Sequence, residues 1–315
     1  MVTEIDWLLD LKAGRASSGQ GRCMRALILL CAVFLADSLS ANVLTDEFVA
    51  EARRTYVTPA YQSYTNSLVG QGRFCWRKGQ PRADVGGRLV RWIDVEGTCN
   101  FRDIGGWNGL NTGLVYRGAE PNCHTNADYL ARHNQKCHNL MATEKGLRVL
   151  SEDLGIRTDL DLRGESESPT PKETPIPGAQ LIRMRCGNYT NFLQNTELAA
   201  KLLRLFADRS NYPVYFHCYG GADRTGSLAF LLEGLCGVSE VDLAIDYELT
   251  SFSRIGRRAR FDKPYFYASM LAAMKRRPGA TLREKFENYA IGECGLTPQE
   301  VAAIRQILSD GRKPL

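Results

Sequence analysis

Val214-Tyr215-Phe216-His217-Cys218-Tyr219-Gly220-Gly221-Ala222-Asp223-Arg224-Thr225-Gly226 passes from a short apolar run into a glycine-bearing loop, and Leu228-Ala229-Phe230-Leu231-Leu232 follows it. A brief β-rich apolar run predicts a central parallel strand buried on both faces. With the apolar segment after it, the stretch predicts a strand-loop-helix unit whose loop lies at the carboxyl end of a parallel strand, where open α/β sheets bind ligands. Gly220 and Gly221 permit backbone conformations that a side chain forbids, so successive N–H groups can converge on an anion. The first turn of the next helix adds unpaired N–H groups and the positive end of its dipole. The ring from Tyr219 through Gly220, Gly221, Ala222 and Asp223 to Arg224 is therefore expected to hold phosphate. Cys218 at its base gains a thiolate-favouring environment and a nucleophile's position. Arg224 supplies the planar fork that pairs with two phosphate oxygens and steadies them as charge spreads.

The flanking sequence reads as alternating helices and strands. Leu147, Val149, Leu150 and Leu154 keep helical spacing, and Gly155 supplies a stop. Ile156 to Leu162 alternates like a strand, Glu165 to Gly178 is a proline-rich surface loop, Leu181 to Met184 is a further strand, and Thr196 to Ala207 is a helix. Ser239 with Asp242, Thr281 with Glu284, and Thr297 with Pro298 and Glu300 each place a cap residue three before an acid. The expected fold class is α/β: a central, mostly parallel twisted sheet flanked by helices, with a helical C-terminal third.

The chain has 315 residues, 44% hydrophobic and 24% charged, enough for one large core and unlike a disordered chain. A formal charge of +5 without any block of like charge does not point to nucleic acid. From Met24 the order is Arg25, an apolar stretch from Ala26 to Ala36, and small residues ending near Ala41, the pattern of a secretory signal. Residues 1–41 are thus expected to be an upstream extension and signal peptide, 42–98 a lead-in packed on the main domain, and 99–315 the catalytic domain. The product is expected to be secreted or periplasmic, and the apolar stretch is too short for a stable membrane anchor. Export suits the cysteines, for which Cys123 with Cys137 or Cys75 with Cys99 are the short pairings on offer. His124, His133 and His138 have no acidic partner at ligand spacing, and no metal or other cofactor is expected.

His217-Cys218, Gly221 and Asp223-Arg224-Thr225-Gly226 resemble the signature loop of cysteine-dependent protein tyrosine phosphatases. Asn100-Phe101-Arg102-Asp103-Ile104-Gly105-Gly106 with Leu114-Val115-Tyr116-Arg117-Gly118, and Gly155 to Arg163, resemble the NFRDxGG opening and the DLR strand of the bacterial secreted branch of that superfamily. The resemblance covers about residues 100–255. It implies a two-step hydrolysis in which Cys218 attacks phosphorus and water then releases the cysteinyl-phosphate. Met184 to Asn191, where many relatives keep a proton-donating aspartate, holds none, so Asp223 inside the loop is the expected acid, with Asp161 and Asp103 in reserve. Thr225 would donate to the cysteine sulfur and His217 would brace the loop. Arg102 and Asp103 line the pocket or tie loops together, and Arg163 braces a loop. Arg254, Arg257, Arg258 and Arg260 read as a solvated helix face. Branch members often carry lysine where this chain has Ala222, which implies preference for a phosphotyrosine protein or small aryl phosphate. A phosphoinositide or inositol polyphosphate phosphatase and an inactive phosphate-binding pseudophosphatase are the alternatives.

Overall fold

A computed structural model describes residues 82–83, 89–90, 93–106, 108–123, 140–250, 253, 255, 258 and 266–309. The chain divides into two compact units, Met1–Glu47 and Phe48–Leu315, and every described residue belongs to the second. The signal-like stretch and the histidines at 124, 133 and 138 lie outside the described residues, as do Cys75 and Cys137. Among the described residues no helix is long and apolar enough to cross a membrane.

Two short strands, β1 (Arg82–Ala83) and β2 (Leu89–Val90), pair antiparallel. The main sheet follows, with β3 (Arg102–Asp103), β4 (Val115–Gly118), β5 (Thr158–Asp161), β6 (Gln180–Arg183) and β7 (Val214–His217) in the spatial order β3-β4-β7-β5-β6. Only β3 runs antiparallel to its neighbour; β4, β7, β5 and β6 pair in parallel. The strand read from Val214 is the middle one and is buried throughout.

Alternation along these strands divides two cores. Val115, Leu160, Val214 and Phe216 face the larger core. Tyr116 and Tyr215 face a smaller one, with Phe101, Leu150 and Ile156. Leu150 belongs to a π-helical turn, Val149–Asp153, that continues α1 (Glu144–Arg148), which is capped by Thr143 accepting from the Gly146 N–H. The larger core is covered by α2 (Tyr189–Gln194), α3 (Thr196–Ala207), α4 (Arg224–Leu235), α5 (Glu240–Leu249), α6 (Tyr267–Lys275), α7 (Leu282–Asn288) and α8 (Pro298–Ser309). Each fully buried Leu, Phe or Val there contributes about 1.5–3 kcal/mol relative to exposure.

The predicted helix starts hold: Ser239 accepts from the Asp242 N–H, Thr281 and Glu284 form a reciprocal capping box, and Thr297 accepts from the Glu300 N–H at 3.1 Å. The proline-rich stretch departs from a surface loop, since it buries Ile176 and Ser168 and sends Glu167 back toward α4. Parallel order has one consequence for the site. The residues after β4, β5, β6 and β7 all emerge at the same edge of the sheet, so segments 119–122, 162–167, 184–189 and 218–223 meet there.

Candidate active site

The loop after β7 is shaped by what its carbonyls do. Tyr219 O accepts the Glu120 N–H at 2.8 Å, Gly220 O accepts Asn100 Nδ2 at 2.9 Å, and Gly221 O accepts Arg117 Nη2 at 2.8 Å. All three donors come from the β3–β4 side. A trans peptide holds its N–H opposite its C=O, so carbonyls tied to that wall direct the N–H groups of residues 220–222 the other way, into the ring. Ala222 O accepts the Gly226 N–H at 2.9 Å, which joins the ring to the first turn of α4. Gly221 has φ +66°, and a Cβ there would stand 2.1 Å from Gly118 O, so glycine is required for the loop to lie against β4.

The wall carries its own charge balance. Arg117 also binds Asp246 on α5, and Arg102 Nε reaches the other oxygen of that carboxylate at 3.0 Å. Arg102 Nη1 donates to Asn100 Oδ1 at 2.7 Å, which orients the amide that caps Gly220. Burial works to raise the Asp246 carboxyl, but the two guanidiniums outweigh it and hold it below the usual carboxylate range. Burial and the nearby Arg117 charge bring Arg102 down to about 10. Arg102 is fully buried and committed to Asp246 and Asn100, one layer behind the loop. Asp103 accepts from the Gly105 and Gly113 N–H groups at 2.9 and 2.7 Å, which fastens the connection between β3 and β4.

On the opposite side, the alternation of β5 places Asp159 and Asp161 on the face of Tyr215 and His217. His217 Nε2 faces Asp159 Oδ1 at 2.9 Å, and Nδ1 faces Cys218 O at 3.3 Å and Asp161 Oδ1 at 3.8 Å. A ring anchored at both nitrogens fixes the end of β7 and the first peptide of the loop. Asp161 also takes Arg163 and Arg183 at 2.9 and 2.8 Å. Burial works to raise its carboxyl, but the charges of His217 and Arg163 prevail and hold it far below the ordinary range, which leaves it no proton to give. Arg163, buried, spans Asp161, Glu120 and Asn122 and so ties the segments after β4 and β5.

Cys218 lies at the base of the ring, 4% exposed. Arg224 opens α4 and donates to Glu167 Oε2 at 3.0 Å and to Leu162 O at 3.3 Å, with its guanidinium carbon 5.0 Å from the centre of the Tyr219 ring. Burial works to lower its pKa, but the negative charges available at Cys218 and Glu167 raise it. Thr225 is buried, and its Oγ1 has no hydrogen-bond partner among the described residues. Cys186, on the segment after β6, is pushed up to about 12 by burial, with the Cys218 charge adding to the effect.

Asp223, the one acid of the loop 218–226, is held through both of its oxygens. Arg258 grips it with Nε to Oδ1 at 2.8 Å and Nη2 to Oδ2 at 3.0 Å, and the Tyr189 hydroxyl donates to Oδ1. Burial works to raise the Asp223 carboxyl, but Arg258 outweighs it and brings it below the ordinary value. Arg258 is thus no member of a solvated face; Arg254, Arg257 and Arg260 lie outside the described residues. Sequence reasoning also passed over Tyr189 and Glu167. Asn100 and Arg117 belong to the NFRDxGG-like and YRG stretches, and an acid inside the apolar run Leu243-Ala244-Ile245-Asp246 is a readable sign of a buried ion pair. Among the described residues no group of three or more His, Cys, Asp or Glu is placed to hold a metal ion.

A family model described as the tyrosine phosphatase family matches residues 93–310. Among solved structures, the chain is similar to the core catalytic domain of a PP-IP phosphatase from S. cerevisiae, in complex with citrate. The identity is 17%, the match covers 59% of this chain and 87% of that one, and the TM-score is 0.33. In the comparison with curated proteins, nothing matches.

Proposed function

The chain belongs to the tyrosine phosphatase family, and we propose that it is an exported phosphate monoester hydrolase that works through a cysteinyl-phosphate and prefers phosphotyrosine-like aryl esters. The observation that carries this reading is the loop itself: carbonyls of Tyr219, Gly220 and Gly221 tied outward, amides turned in, Cys218 beneath and Arg224 at the rim. Export rests on the order of residues 24–41.

In the first step the Cys218 thiolate forms a bond to phosphorus as the bond from phosphorus to the ester oxygen breaks, and Asp223 passes its carboxyl proton to that oxygen. Loop amides and the Arg224 fork hold the three equatorial oxygens; one such donor is worth about 2.7–4 kcal/mol in the transition state. In the second step water attacks phosphorus, gives its proton to the Asp223 carboxylate and displaces the sulfur, which leaves as thiolate with the Thr225 hydroxyl as its donor. Aryl preference follows from Ala222, which puts a methyl group where a cation would favour highly charged head groups.

Hydrolysis of p-nitrophenyl phosphate in EDTA and reductant by the full chain tests this, beside Cys218→Ser and Asp223→Asn. Activity is expected in the parent and none in the serine variant, with a larger loss for Asp223→Asn on alkyl than on aryl esters. Equal rates for the parent and Cys218→Ser end the case for covalent catalysis. Faster turnover of inositol lipids than of phosphotyrosine peptides ends the case for aryl preference.

A further inference from the structure

The Asp223 carboxylate cannot donate a proton while Arg258 holds it as an ion pair. Both of its oxygens are engaged, Oδ1 by Arg258 Nε and the Tyr189 hydroxyl, Oδ2 by Arg258 Nη2. A guanidinium only donates, so an Asp223 carrying a proton loses at least one of these bonds. We propose that Arg258 is a positioning residue which docks Asp223 as a carboxylate at the mouth of the loop and yields it when an anion enters, so that phosphate binding and proton uptake by Asp223 are coupled. The inference rests on Asp223 being the proton donor.

The contact is built rather than incidental. Tyr189, which opens α2, holds a left-handed backbone with φ +52°, a conformation costly for an aromatic residue. Its N–H donates to Ser227 Oγ at 2.6 Å, and that hydroxyl donates to Asp223 O at 2.9 Å. Its ring stacks on Phe266 at 4.6 Å, and its hydroxyl lies 3.0 Å from that of Tyr247. The same tyrosine therefore holds Asp223 through both main chain and side chain.

Among the described residues, the groups facing Asp223 are Arg258 from the segment after α5, Tyr189 from α2 with Tyr247 of α5 behind it, and Arg224 from the loop itself. Arg258 and Asp223 are partly exposed, at 21% and 33%, so the pair can open without unpacking the core. A dianion in the ring adds like charge beside the carboxylate and competes for the guanidinium. Both effects favour the carboxyl form. The proton comes from solvent and leaves with the ester oxygen in the first step.

Titration calorimetry with tungstate tests the coupling, in the Cys218→Ser background so that sulfur contributes no proton. The experiment compares two buffers of different ionisation enthalpy at about pH 5.5, above the ordinary carboxylate range. Proton uptake on binding is expected in the Cys218→Ser protein, none after adding Asp223→Asn, and less after adding Arg258→Gln, which removes the guanidinium that opposes the effect of burial on Asp223 before the anion arrives. In active protein, Arg258→Gln is expected to move the basic limb of kcat/KM for an alkyl phosphate to higher pH, while Arg258→Lys stays nearer the parent; a merely structural role moves no limb. Tungstate binding without proton uptake, or uptake that survives Asp223→Asn, overturns the coupling. Failure of tungstate to bind at all overturns instead the reading of the loop as an anion site.

Discussion

Glu120 offers a sharp test of how this corner of the fold handles buried charge. Its carboxylate is 1% exposed and lies 2.7 Å from Arg163, while its N–H caps Tyr219 of the loop at 2.8 Å. The ion pair alone suggests a firmly ionised acid, yet burial outweighs the charges of Arg163 and His217 and raises the carboxyl from 4.5 to about 7. The disagreement is resolved by Arg163: burial works against its cation, and Asp161, ahead of Glu120, more than offsets that cost. Glu120 thus receives only part of one guanidinium. Below pH 4.5 both folded and unfolded chains hold the proton, and the stabilisation from this group is complete. As pH rises the unfolded chain releases its proton first, so the contribution falls and is gone once pH passes about 7. At about 1.4 kcal/mol per unit, that shift corresponds to roughly 3 kcal/mol. Glu120→Gln keeps the shape and removes the titration. Urea unfolding of the full chain and this variant, in steps from about pH 4.5 to 8, is expected to show the stability difference moving toward the variant by roughly 3 kcal/mol. A difference that stays constant within about 0.5 kcal/mol over that range refutes the reasoning, because Arg163 then balances the desolvation of Glu120 in full.

Two further outcomes follow from single atoms. Gly221→Ala sets a methyl group 2.1 Å from Gly118 O and asks alanine for φ +66°; the loop must leave β4, with kcat/KM falling at least about a hundredfold as amides lose their aim, and stability falling by about 1–3 kcal/mol. Thr225→Val removes a buried hydroxyl that has no partner among the described residues; thermal unfolding is expected to stay within about 0.5 kcal/mol of the parent, while rapid-mixing assays show a burst of p-nitrophenol as the cysteinyl-phosphate accumulates.

Much of the fold was readable because its signals are local. The strand Val214–His217 was marked by apolar β-rich residues and helix starts by caps, and both appear where expected. Glycines could also be read, since Gly155 and Gly221 occupy the left-handed region that the stop and the turn required. The outer turn of the site was less legible. Residues 165–178 look like any proline-rich surface loop, and nothing local tells that Glu167 returns to pair with Arg224 across the end of β5.

The partners of Asp223 show why such gaps arise. The residue types that suit a loop to an anion lie within ten residues, from His217 to Gly226, although Glu120, Asn100 and Arg117 turn its amides inward. The charge state of the acid inside that loop is set elsewhere, by Arg258 after α5 and Tyr189 at the start of α2. Neither has a sequence pattern of its own, because a single well-aimed guanidinium and a single hydroxyl, with the Arg224 charge of the loop, reverse the effect of burial on the carboxyl. The proposed nucleophile and the outline of its cradle can therefore be read from consecutive residues, whereas the aim of the amides and the proposed timing of the proton depend on tertiary packing. On that ground, changes at Arg258 and Tyr189 are expected to alter pH dependence while leaving the ring around Cys218 in place.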